Sequence, residues 1–60
     1  MTQEEMALLH AHVDEAKRRG MTFTNFCWGM TKTGVASKTD QGILATERGP
    51  NGYAHTLTQD

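Results

Sequence analysis

Residues 21–33 read Met-Thr-Phe-Thr-Asn-Phe-Cys-Trp-Gly-Met-Thr-Lys-Thr, and the fold turns on whether they form a strand or a helix. Composition points to a strand: Thr22, Phe23, Thr24, Phe26 and Trp28 are strand formers, and Gly29 is a poor helix former. Spacing points to a helix. Phe23, Phe26, Cys27 and Met30 stand at i, i+3, i+4 and i+7, with Thr22 in place as an N-cap. Neither face of the strand is cleanly apolar. Composition carries the balance towards a strand, with the helix left open as the alternative. In both cases the segment holds every aromatic residue except Tyr53 and supplies most of the core facing the preceding helix.

That preceding helix is the most legible element. Thr2-Gln3-Glu4-Glu5 is a capping box, in which the Thr2 hydroxyl and the Glu5 carboxylate serve each other's backbone amides. Met1 and Met6 flank it at the spacing of a hydrophobic staple. Met6, Leu9, Val13 and Ala16 then recur on one stripe, which reads as the core face or as a dimer seam. Asp14 to Arg18 and Glu15 to Arg19 are i,i+4 pairs in the favourable order. Lys17, Arg18 and Arg19 suit the negative end of the helix dipole, and Gly20 suits the position just past it. These signals predict a helix over 2–19.

Downstream, Asp40-Gln41-Gly42 marks a turn, and Val35 to Thr39 read as a short strand before it. Ile43 to Arg48 and Tyr53 to Thr58 flank Gly49-Pro50-Asn51-Gly52, the clearest hairpin signal in the chain. Gln59 and Asp60 read as a frayed end. The expected architecture is α+β: one amphipathic N-terminal helix packed on a small antiparallel sheet that ends in a hairpin.

The chain has 60 residues, with six Lys/Arg against seven Asp/Glu, so residues 1–60 are expected to form one small domain of near-neutral charge. A chain this short buries only about 60% of its unfolded surface, which leaves stability marginal. Cys27 is the only cysteine, so no disulfide framework exists. The apolar runs are too short for a transmembrane span, and the first residues are acidic rather than basic, unlike a signal peptide. A cytoplasmic protein with no membrane contact is the expectation.

Reactive chemistry is sparse. His10, His12, Cys27 and His55 are the only soft metal ligands, and His10 and His12 diverge on a helix. The expectation is therefore no metal, with both helix histidines partly exposed. Cys27 reads as a core thiol, since nothing orients a histidine against it. Glu4, Glu5, Asp14 and Glu15 read as cap and surface charges. No Gly-rich phosphate loop is present, and Pro50 removes an amide that a phosphate would need. No cofactor and no enzymatic activity are expected.

Several short stretches have a partial likeness elsewhere. Arg19-Gly20-Met21-Thr22, Phe26-Cys27, Gly34-Val35-Ala36-Ser37-Lys38-Thr39 and Glu47-Arg48-Gly49-Pro50 together resemble a phage-repressor helix-turn-helix domain. That resemblance implies a mostly helical fold and DNA binding, with Ser37, Lys38 and Thr39 opening the recognition helix. It covers about half of the chain. Gly34 falls three residues late for the family's turn, and Gly42 would break the recognition helix. Residues 21–60 balance Lys32, Lys38 and Arg48 against Asp40, Glu47 and Asp60, which makes nucleic acid a poor partner on charge.

The leading expectation is a non-enzymatic interaction module, an inhibitor or adaptor of the phage or plasmid type, that occupies a surface of a larger protein partner, with a homodimer as a further form of contact. Trp28, Arg48 and Tyr53 are of the residue types enriched at interface hot spots and are the candidate contact residues. The plain alternative for Trp28 is that it anchors the core.

Overall fold

The computed structural model describes residues 2–59. Helix α1 spans Gln3–Arg18, and strands β1 (Phe23–Met30), β2 (Gly34–Thr39), β3 (Gly42–Gly49) and β4 (Gly52–Thr58) follow. The strands form one antiparallel sheet in the order β1-β2-β3-β4, with α1 laid over β2, β3 and β4. This is the expected α+β fold with its C-terminal hairpin.

Both ends of α1 are closed by local chemistry. Thr2 caps it: the Glu5 amide donates to Thr2 Oγ1 at 3.1 Å, and the Thr2 amide donates to the Glu5 carboxylate at 3.4 Å. At the other end Gly20 takes a φ of 71°. The Gly20 amide donates to Lys17 O at 3.1 Å and the Met21 amide to Ala16 O at 3.0 Å, the paired bonds of a Schellman ending. Met21 then packs with Ala16 and Leu44 in the core, with Phe23 and Leu57 at its margin. The proposed staple between Met1 and Met6 lies outside the described residues.

The buried face of α1 is rotated from the expected stripe. Leu8, His12, Glu15 and Ala16 are buried, while Met6 is exposed and Leu9 and Val13 are only half-buried. His12, expected at the surface, is wholly enclosed. Apolar spacing misjudged the face because two of its four members are polar.

Strand β1 resolves the strand-or-helix question in an instructive way. It is a strand, but its register against β2 shifts between Phe23 and Asn25 and again between Asn25 and Gly29. Inside the second shift Cys27 takes a φ of 54°. Such a bulge breaks the alternation of side chains. Phe23 and Phe26, three residues apart, therefore meet edge to face at 4.9 Å between ring centroids. The helix-like spacing is the signature of a bulged strand.

The helix-turn-helix resemblance is overturned by the same sheet. Ser37, Lys38 and Thr39 lie in β2, in register with Leu44, Ile43 and Gly42 of β3. Ser37 and Thr39 are buried, so no recognition helix opens there.

Candidate functional site

Beside the apolar core of Leu8, Ala16, Met21, Val35 and Leu44, the domain buries polar side chains and exposes aromatic ones. His12, Ser37, Thr39 and Thr46 are buried, whereas Phe26, Trp28, Tyr53 and Met6 are exposed. In so small a domain a buried polar side chain and an exposed aromatic are the two observations that carry information.

The buried polar groups form one chain. Strand alternation places Ser37 of β2, Thr46 of β3 and His55 of β4 on the face that α1 covers, and α1 lowers His12 between them. His12 Nε2 lies 2.6 Å from Ser37 Oγ, and His12 Nδ1 lies 2.9 Å from Thr46 Oγ1. Thr46 Oγ1 also lies 2.9 Å from His55 Nδ1, and His55 Nε2 lies 3.9 Å from Glu15 Oε1. The Cys27 amide donates to Ser37 Oγ at 3.3 Å. One tautomer set gives every proton in this chain a direction. Ser37 O–H donates to His12 Nε2, His12 Nδ1–H to Thr46, and Thr46 O–H to His55 Nδ1, leaving His55 Nε2–H towards Glu15. The His12 ring is then neutral, and no buried polar side-chain atom among the described residues lacks a partner.

The charges at the end of this chain are tuned by their neighbours. A hydrogen bond from Arg19 holds the Glu15 carboxyl below its ordinary range, with the Arg18, His55 and Arg19 charges adding to it against the cost of burial. Arg18 also bonds Glu15. Burial, reinforced by the charge of His55, lowers His12 from its ordinary 6.5. The sign of the pH dependence follows. An unfolded His12 takes up a proton near 6.5 and the folded one resists it, so the stability His12 contributes is present above pH 6.5 and is lost as pH falls below it. Glu15 adds a second loss below its ordinary 4.5. Thermal midpoints are expected to hold steady above pH 7 and to begin falling near pH 6.5. A midpoint constant from pH 7 to pH 5 would contradict the burial of a neutral imidazole.

Ser37 beside His12 has the chemistry of a nucleophile and base, but both are fully enclosed. Cys27, expected in the core, is instead half-buried on the bulge, and desolvation raises its thiol above 9.0. At neutral pH it is therefore a thiol, not a thiolate nucleophile. Among the described residues no three His, Cys, Asp or Glu side chains gather where they could hold a metal ion.

The three candidate contact residues are divided. Arg48 and Tyr53 are register partners across β3 and β4. Arg48 donates to Lys32 O at 3.2 Å and pairs with Glu4 at 3.5 Å, which ties the β1–β2 turn and the start of α1 to the hairpin end. Trp28 is on β1, the opposite edge of the sheet from Tyr53, and is 59% exposed. It does not anchor the core. Its neighbour in the bulge, Phe26, is 50% exposed and was not singled out from the sequence. The signal that could have found it was the Phe23–Phe26 spacing, which fits a strand only if the strand is bulged.

In comparisons with protein-family models, curated protein sequences and solved structures, no match to this chain is found. No helix among the described residues is long and apolar enough to cross a membrane.

Proposed function

We propose that this chain is a small non-enzymatic protein-interaction module of the cytoplasm, an inhibitor or adaptor that acts by contact with a larger protein and can self-associate. The observation that carries the reading is the aromatic edge of β1. Phe26 and Trp28 stand at the surface beside a bulge while His12, Ser37, Thr39 and Thr46 share the interior with the apolar core. Exposing two large aromatic side chains sacrifices burial that a 60-residue chain needs, and contact with a partner would recover it. The enclosure of Ser37 and His12 supports a role without catalysis. The lone free Cys27 fits a reducing compartment.

Trp28→Ala tests this directly. The variant is expected to unfold within about 0.5 kcal/mol of the parent, as an exposed substitution does. A partner captured by the parent chain at stoichiometric yield is expected to bind the variant at least about thirtyfold more weakly, the loss of a hot spot. A variant that folds and keeps its partner removes Trp28 from the contact surface. Loss of folding would place Trp28 in the core and overturn the reading.

A further inference from the structure

The two edges of the sheet are not equivalent. The β1 edge is irregular: its register slips twice and Cys27 sits in a left-handed conformation. Bulges of this kind blunt an edge against pairing. The β4 edge carries none of the usual protections. Gly52–Thr58 contains no Pro, Lys, Arg, Asp or Glu, and its register with β3 is unbroken from Gly52 to Thr58. The tight turn pairs Gly49 with Gly52, so hydrogen bonding alternates from there. Ala54, Thr56 and Thr58 bond inward to β3, and the backbone groups of Tyr53, His55 and Leu57 point outward to the open side.

We infer that β4 pairs antiparallel with β4 of a second copy of this chain, joining two sheets into one of eight strands. This deepens the interaction-module reading by naming one occupant, and it rests on that reading only in treating the chain as a contact protein. Three observations favour a second copy over a foreign strand. First, pairing the full length of β4 centres the two-fold axis on His55. Tyr53 then meets Leu57 of the second copy, and Ala54 meets its Thr56. An aromatic–aliphatic pair and a small–polar pair result, and His55 meets its own copy at the axis. Tyr53, 40% exposed in the single chain, is covered. Second, the axis is perpendicular to the sheet, so the two α1 helices lie antiparallel on one face. The acidic first turn of each helix, Glu4 and Glu5, then runs beside the basic last turn of the other, Lys17 and Arg18. Third, a sheet with one open edge and one blunted edge closes as a pair. Two open edges would grow into a fibre.

Sedimentation equilibrium across a concentration series tests the pairing. The parent chain is expected to sediment as a dimer. Ala54→Lys combined with Thr56→Lys opposes lysines across the axis and is expected to weaken the dimer at least tenfold. Ala54→Lys combined with Thr56→Glu opposes opposite charges and is expected to restore it. Both positions are exposed on the sheet face away from α1, and circular dichroism checks that each variant folds. A parent chain that stays monomeric at the highest concentration overturns the inference, as does a dimer indifferent to the charge pattern. Trp28→Ala lies on the other edge and is expected to leave the dimer intact, so failure here and failure of the partner-contact reading register separately.

Discussion

Thr46→Val is expected to lower the unfolding free energy by about 2–4 kcal/mol, the larger share from His12. Valine keeps the shape of threonine and removes only the hydroxyl. That hydroxyl is the one group bonded to both rings, at 2.9 Å from His12 Nδ1 and 2.9 Å from His55 Nδ1. His55 is partly exposed and can turn to water. His12 is 0% exposed and cannot, so a buried donor is left without an acceptor. A domain of this length has a total stability of about 3–9 kcal/mol, so the variant loses much of what it has. Thr46→Ser keeps the hydroxyl and is expected to lose about 1 kcal/mol, the value of a methyl group. Urea denaturation of the pair separates the hydroxyl from the methyl. Equal losses in the two variants would show that the bonds to the rings contribute nothing.

Gly42→Ala is expected to be at least as damaging, about 3 kcal/mol or more, from backbone strain together with a clash. Gly42 closes the β2–β3 turn opposite Thr39 with a φ of 125°. A Cβ at this position would stand 2.5 Å from the Thr58 carbonyl oxygen and 3.3 Å from Gln59 Cα. Both are backbone atoms, so no side chain can rotate away and β4 itself must shift. Gly52 is a built-in control: its φ is 124° and a Cβ there meets nothing within 4 Å. Gly52→Ala is expected to cost only the backbone strain, about 1–3 kcal/mol. The difference between the two thermal midpoints isolates the clash. If both variants fall equally, Gly42 is required for its conformation alone.

Local rules made the ends of elements legible. The Thr2–Glu5 capping box, the Gly20 ending and the Pro50-Asn51 turn each depend on a few adjacent residues, and all three form as their chemistry dictates. What depends on distant partners was not legible. The inward face of α1 is decided by Ser37 and Thr46, which lie 25 and 34 residues from His12 and make its burial tolerable. Apolar periodicity cannot anticipate a buried imidazole whose hydrogen-bond partners come from two strands. The bulge in β1 was hidden for a related reason. Its left-handed residue is Cys27 rather than glycine, and the Ser37 hydroxyl that accepts its amide is remote in sequence. Of the candidate contact residues, Trp28 could be picked by type, but only the bulge explains why it and Phe26 face outward. Arg48 was picked by type as well, and its hydrogen bond to Lys32 O and ion pair with Glu4 depend on residues remote in sequence.

A neutral His12 is fixed between two strand hydroxyls inside the domain, while Phe26, Trp28 and Tyr53 stand exposed outside it. Two-bond proton–nitrogen NMR of the imidazole rings at pH 7 reads this most directly. The expected spectrum shows His12 as a single neutral tautomer protonated on Nδ1, with a proton slow to exchange. A His12 ring that averages between tautomers, or that carries a proton on both nitrogens at that pH, would contradict a neutral imidazole held between Ser37 and Thr46.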